Sequence, residues 1–212
     1  MNMMNESEWF MKSFQRVSAK LKKIWMRLIL RGTRYSNGYK KLDAFYIIND
    51  PWHMDSPSEQ YRFKETNRLI LENFGAVRSL LEIGCGEGHQ SLHLQQVCDR
   101  LTGLDVSDRA VGRARRRCPR DEFLVGDIFS LAVGAKAPFE LVVACEVLYY
   151  MSDVPAALGR IQALGRNCFL TYFAGEMETL DSQVLSLPGA VSKILQFEQS
   201  RWRAVWWRGD QI

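Results

Sequence analysis

The chain has 212 residues, 47% of them hydrophobic, and a formal net charge of +4, which suits one packed domain with an appendage and argues against wholesale disorder. It has no run of eighteen uncharged apolar residues, so a spanning helix is not expected, and Lys12, Arg16, Lys20, Lys22 and Lys23 interrupt any apolar core of a secretion signal. Cys85, Cys98, Cys118, Cys145 and Cys168 lack C-x-x-C spacing, so reduced thiols in a cytoplasm are expected, and no metal site.

The charge is unevenly spread. Residues 12–41 hold ten Lys or Arg and no acid, whereas the remainder carries 18 basic against 24 acidic residues. The first segment, 1–31, contains an amphipathic pattern over 7–31. Phe10, Phe14, Val17, Leu21, Ile24 and Leu28 recur at spacings of four and three, with Trp9 and Trp25 alongside, as one face of a helix requires. Three uses stay open. The helix could dock on its own domain or on another subunit, giving a homo-oligomer; it could lie on an anionic membrane surface; or it could reach nucleic acid, the least favoured use, because a basic run is usually a solvated face.

Residues 32–58 read as a lid or linker with turn signals at Asn37-Gly38, Asp50-Pro51 and Ser56-Pro57. The main domain is expected over 59–212. Ser58 is placed to cap a helix over 59–74, with Tyr61, Leu69, Ile70 and Phe74 on its apolar face and Gly75 ending it. Strands and helices then alternate: strand 79–84, helix 88–97, strand 100–105, helix 107–117, strands 121–126 and 139–145, helix 153–164 and strand 167–173. This order implies βαβ crossovers and a parallel sheet. Two further strands follow, Ile194–Glu198 and Arg203–Trp207. Trp202, Trp206 and Trp207 read as edge-strand packing before a ligand platform.

The chemistry concentrates at residues 80–88, LLEIGCGEG. Leu80, Leu81 and Ile83 form a buried strand, and Gly84, Gly86 and Gly88 let the backbone turn into a helix close to a ligand. Asp105 closes the next apolar run, where a carboxylate accepts hydrogen bonds from ribose hydroxyls, and Val106 follows it. The third glycine comes one residue earlier than in a dinucleotide loop, and Glu82, just before the loop, would repel a pyrophosphate but could suit an ammonium group.

This segment resembles motif I, E-x-G-x-G-x-G, of the class I S-adenosylmethionine-dependent methyltransferases. LTGLDVS at 101–107, FLVGDIFSL at 123–131 and FELVVACEVLYYM at 139–151 agree with that family's later landmarks. The resemblance implies a Rossmann-like, doubly wound α/β fold of seven strands, mostly parallel with an antiparallel C-terminal strand, and S-adenosyl-L-methionine as cofactor. It implies Glu82, Gly84, Cys85, Gly86 and Gly88 around the methionine moiety and Asp105 and Val106 at the ribose. Asp127 and Ile128 are implied at the adenine, with a turn cap as the alternative for Asp127. Cys145, Glu146, Val147, Leu148, Tyr149 and Tyr150 would face the sulfonium and the acceptor. CEVLYY replaces the N/D-P-P-Y/F segment of base-amine methyltransferases, which argues against a nucleobase acceptor.

DPWHMDSPSEQYRFKETNRLI at 50–70 further resembles NodS-type methyltransferases. Those proteins N-methylate a de-N-acetylated glucosamine ending a chitin oligosaccharide, and their D-P-W segment acts as a lid. The resemblance implies Trp52 over the cofactor and an amino sugar or similar small amine as acceptor; a plain loop is the alternative for 50–58. Tyr61 and Arg62 are candidates for the cofactor carboxylate, with a surface ion pair as the alternative for Arg62. Glu146 and Tyr149 are the catalytic candidates. Glu146 could take the amine's proton or, alternatively, bond backbone amides in its own turn. His53 and His89 are weaker candidates, more simply read as surface or cap histidines. O-methylation, or methylation of another metabolite, stands as the alternative reaction; a non-catalytic cofactor-binding partner at a membrane is the alternative from another class.

Overall fold

The structure, a computed structural model, describes residues 32–36 and 38–208. The expected helix at 7–31, with its membrane, partner and nucleic-acid uses, lies outside the described residues. In chain order the elements are α1 (Tyr39–Phe45), α2 (Pro57–Phe74), β1 (Val77–Ile83), α3 (His89–Leu94), β2 (Cys98–Asp105), α4 (Asp108–Arg117) and β3 (Glu122–Val125). They continue with the single turn α5 (Leu131–Gly134), β4 (Phe139–Cys145), α6 (Val154–Leu164), β5 (Gly165–Phe173), α7 (Met177–Val184), β6 (Val191–Phe197) and β7 (Ser200–Arg208).

The strands form one seven-stranded sheet in the order β3-β2-β1-β4-β5-β7-β6. All pairs up to β5 are parallel, and β7 runs antiparallel between β5 and β6. Helices cover both faces because the central strands alternate their side chains between two cores. Leu81, Ile83, Val142 and Ala144 pack with α6 and α7 through Leu158, Ile161 and Leu180. Leu80, Leu141 and Val143 pack with α2, α3 and α4 through Ile70, Leu94 and Val111. Each fully buried Leu, Ile or Val among them contributes roughly 1.5–3 kcal/mol.

Local chemistry explains the boundaries. Ser107 Oγ accepts from Ala110 N at 3.1 Å to start α4, and Asp153 Oδ1 accepts from Ala156 N at 2.9 Å to start α6. The start of α2 differs from expectation. Ser56, not Ser58, is the N-cap, because Pro57 fits the first helical turn, where no amide partner is needed. Gly75 ends α2 at φ 74°, as expected. The tryptophans do pack, but β7 is an inner strand. Trp206 stacks on Phe169 with ring centroids 6.2 Å apart, and Trp207 is 1% exposed. All five cysteines are free. Among the described residues no helix is long and apolar enough to cross a membrane.

Candidate active site

The strand order reverses between β1 and β4, so the loops leaving their carboxyl ends splay apart and open a crevice. A cleft of about 250 Å³ occupies that place. Its floor comes from the ends of β1, β2 and β4 and the turn after β3; α1, the 46–56 segment and the start of α2 wall its other side.

The glycine loop and Asp105 form one unit. Asp105 Oδ2 accepts from Gly86 N at 2.9 Å and Oδ1 from Ser107 N at 2.9 Å. Each oxygen retains acceptor capacity for a hydroxyl from the cleft. Burial raises the Asp105 pKa to about 6, against the amides of Ser107, Gly86 and Val106. Gly86 has φ 53°, and a Cβ there would stand 2.9 Å from the Tyr46 hydroxyl, so any side chain would disrupt the loop's seat on α1's flank. Gly88 corrects the expected assignment. At φ 79° it caps α3, and a Cβ would meet Ala114 Cα of α4 at 3.1 Å. It allows close helix packing and does not line the cleft.

Behind the loop stand Glu82 and Arg62. Glu82 is 3% exposed, accepts the Ser91 hydroxyl, and is pushed up to about 8 by burial. Arg62 is 1% exposed, so the surface ion pair offered as its alternative is replaced by a buried one. Its guanidinium donates to Glu59 at 2.6 and 2.8 Å and to Gln90 Oε1 at 2.9 Å. Burial acts to lower the Arg62 pKa, but Glu59 and Glu146 outweigh it and keep the cation firmly charged. Gln90 in turn donates to Cys145 Sγ at 3.3 Å.

At the end of β4, Glu146 adopts φ 58°, a conformation that non-glycine residues rarely hold and that recurs at functional sites. Its Oε1 accepts from the Thr171 hydroxyl at 2.9 Å, and its Oε2 from the Tyr149 hydroxyl at 3.3 Å. The expected alternative, bonds to amides of its own turn, is not the one formed. Burial raises Glu146 to about 7, while Arg62 pulls it down. Burial also raises Tyr149 well above its ordinary value, so the phenol stays neutral and donates.

The 46–56 segment closes the far wall. The Trp52 ring lies 4.4 Å from Phe45 and 5.9 Å from Tyr150 by centroids, and its Nε1 donates to Tyr46 Oη at 3.1 Å. Asp50 N donates to the Glu87 carboxylate at 3.0 and 3.2 Å, tying the segment to the glycine loop.

The cleft therefore gathers Trp52, Arg62, Glu82, Gly84, Cys85, Gly86, Asp105, Val106, Asp127, Ile128, Cys145, Glu146 and Tyr149. Asp127 also accepts from Phe129 N at 2.9 Å, the turn cap offered as its alternative. Leu148 belongs to the core instead, and Tyr61 packs on Phe197 of β6 with ring centroids 5.3 Å apart. His53 is exposed and stands outside the cleft, whereas His89 is buried and lines it. Sequence reading missed Tyr39, Leu42 and Tyr46 of the α1 region, as well as Glu59 and Gln90. No metal site is expected from the sequence, yet the fold brings Asp50, Glu87 and His89 together, with one ligating atom of each within 4.8 Å of the others.

A mostly parallel seven-stranded sheet with a glycine loop, a buried carboxylate at the end of β2 and a cleft at the switch point defines the class I S-adenosylmethionine-dependent methyltransferase fold. Residues 38–170 match the family described as Nodulation protein S (NodS). The chain belongs to that family. It is 36% identical over 124 residues to Nodulation protein S of Sinorhizobium fredii, covering 57% of this chain and 56% of that protein. It is 32% identical over 127 residues to that of Rhizobium tropici, covering 58% and 52%. The chain thus spans about half the length of these curated relatives. The crystal structure of the N-methyltransferase NodS from Bradyrhizobium japonicum, in complex with S-adenosyl-L-homocysteine, superposes with a TM-score of 0.66 at 28% identity, covering 83% of this chain and 100% of that one.

Proposed function

We propose that this chain is an S-adenosylmethionine-dependent N-methyltransferase whose acceptor is the free amine of an amino sugar, such as a de-N-acetylated chitin oligosaccharide. The observation that carries the reading is Glu146: a buried carboxylate facing the cleft, raised to about 7 and held by two hydroxyls. The residues fit the cofactor. Asp105 offers acceptors to a ribose, Gly86 leaves room for close approach, and Arg62 carries a positive charge for a carboxylate while Glu82, raised to about 8, would ionise against an ammonium group. When bound, S-adenosylmethionine supplies an electrophilic methyl on a sulfonium, already an excellent leaving group.

The chain's own work is positioning and proton handling. An alkylammonium has no lone pair, so it must first lose a proton. A carboxylate poised near 7 takes that proton at neutral pH, where an ordinary glutamate would be too weak a base. Tyr149, neutral and bonded to Glu146 Oε2, keeps the carboxylate aimed; Thr171 does the same from β5. Trp52 and Tyr150 wall the cleft on that side, with Phe45 packed behind Trp52.

The test is transfer of labelled methyl to chitin oligosaccharides with a free terminal amine, beside fully acetylated controls. Label in the free-amine substrate alone supports the reading. No transfer to either, in protein that binds S-adenosylhomocysteine, refutes the amino-sugar acceptor.

A further inference from the structure

Where the 46–56 segment meets the glycine loop, three ligating side chains of the cleft wall converge that the proton transfer proposed above does not use. Asp50 comes from that segment, Glu87 from the glycine loop and His89 from the first turn of α3. His89 Nε2 lies 3.5 Å from Glu87 Oε2 and 3.9 Å from Asp50 Oδ1, while its Nδ1 lies 3.3 Å from Asp55 Oδ1. The His89 side chain is only 7% exposed, and Nε2 has no hydrogen-bond partner among the described residues.

We propose that Asp50, Glu87 and His89 bind a divalent transition-metal ion that fastens the 46–56 segment to the glycine loop. Asp55 Oδ1 lies 3.3 Å from Nδ1, and an imidazole protonated on that nitrogen would turn its Nε2 lone pair toward two carboxylate oxygens. Converging lone pairs in a buried place repel unless a cation stands between them. A carboxylate on the remote ring nitrogen is the outer-shell arrangement that orients metal-bound histidines.

The spacing favours a metal over a proton as that cation. Ligands about 2.1 Å from a tetrahedral ion stand about 3.4 Å apart; the two histidine–carboxylate distances, 3.5 and 3.9 Å, lie near that, and all three atoms lie within 4.8 Å of one another. An N–H···O bond would be about 2.9 Å. The local charge is compatible: among the described residues, of the carboxylates of Asp50, Asp55 and Glu87, only that of Glu87 is paired with a guanidinium, Arg113 at Oε1, while Arg117 donates to the Glu87 carbonyl, so a divalent ion would meet the carboxylate oxygens of Asp50 and Glu87 that face His89. Arg113 and the Asp50 amide fix the Glu87 carboxylate and leave acceptor capacity on Oε2. One imidazole with two carboxylates suits zinc, cobalt or manganese rather than calcium, which takes oxygen ligands alone. The ion would hold the segment shut over the cleft without touching the acceptor. That consequence rests on the cofactor reading; the binding of the ion does not.

The test uses the full chain, stripped with chelator and titrated with Co²⁺ by visible absorption, with Zn²⁺ as competitor in calorimetry. The expected result is one Co²⁺ per chain, without the charge-transfer absorption of thiolate ligands. His89→Gln and Asp50→Asn should each weaken binding at least tenfold, and Asp50→Asn keeps the buried histidine should His89→Gln fail to fold. Zn²⁺ should also slow S-adenosylhomocysteine release from wild type and leave it unchanged in Asp50→Asn. Absence of Co²⁺ uptake, or equal uptake by Asp50→Asn, overturns the proposal. So does a nitrogen-15 spectrum with both His89 nitrogens protonated and indifferent to Zn²⁺. Normal cofactor binding without metal uptake would defeat the metal site alone, whereas metal uptake without cofactor binding would defeat the cofactor reading alone.

Discussion

Glu82 offers a test in which stability and binding move in opposite directions. Burial raises its pKa from the ordinary 4.5 to about 8. A group whose folded pKa is raised contributes stability that is fully present below the unfolded value and is lost as pH rises through the folded one. Between pH 6 and 8 the unfolded glutamate is already ionised, while folded Glu82 goes from nearly all protonated to about half. Two pH units at about 1.36 kcal/mol each give an upper bound of about 2.7 kcal/mol, which half-titration at pH 8 trims to about 2 kcal/mol. Gln at this position keeps the shape and an acceptor for Ser91 but cannot ionise. Urea denaturation of ligand-free wild type and Glu82→Gln at pH 6 and 8 isolates this contribution. Asp105 and Glu146 titrate in both proteins, and any constant cost of the amide cancels between the two pH values. The wild type should lose about 2 kcal/mol more than the variant over that interval. Because a cofactor ammonium favours ionised Glu82, the variant should also bind S-adenosylhomocysteine more weakly, and binding to wild type at pH 7 should release protons. Parallel pH dependences, within about 0.5 kcal/mol, would refute the argument.

Asp105→Ala should cost about 1.5–3 kcal/mol of S-adenosylhomocysteine affinity for each charged hydrogen bond lost, read by calorimetry; unchanged affinity would remove Asp105 from the ribose site. Glu146→Gln should lower kcat while leaving cofactor affinity within about twofold, since Glu146 is raised to about 7 by burial and must be ionised to accept a proton. Wild-type kcat should therefore rise as pH increases through the Glu146 pKa, and the variant should lack that limb; equal losses in turnover and affinity would argue for a structural role. Trp52→Ala should speed S-adenosylhomocysteine release about tenfold or more in stopped flow through loss of the Phe45 and Tyr150 contacts, with Trp52→Phe intermediate; identical rates would show that the segment does not retain the cofactor.

What the sequence disclosed follows from what is local. The apolar run ending at Ile83, the glycines and the carboxylate of Asp105 lie within one βαβ unit, so spacing alone placed them. The alternation of strands carried the sheet, and the resemblance supplied the antiparallel β7. Less legible were features that depend on distant partners. Helix α1 has only Leu42 and Phe45 facing inward, too few to show a period, so its region's share of the cleft through Tyr46 stayed hidden. Helix α7 is eight residues long, with Leu180 and Val184 its buried positions, and was missed for the same reason. Arg62 reads as a surface cation because Glu59, three residues before it, suggests only an ordinary pair on the helix surface, and nothing nearby announces that Gln90, 28 residues on, will hold it under the glycine loop. His89 looks solitary until the 46–56 segment folds back and brings Asp50 and Asp55 to it.

The central claim is that the cleft directs a methyl group onto an amine nitrogen. Transfer from carbon-13-methyl S-adenosylmethionine to a chitin oligosaccharide with one free terminal amine, read by NMR, tests it at the level of the atom. The account predicts one new N-methyl signal on the terminal glucosamine, absent with Glu146→Gln and with the acetylated oligosaccharide. A methoxy signal, or no labelled product from protein that binds S-adenosylhomocysteine, would contradict it.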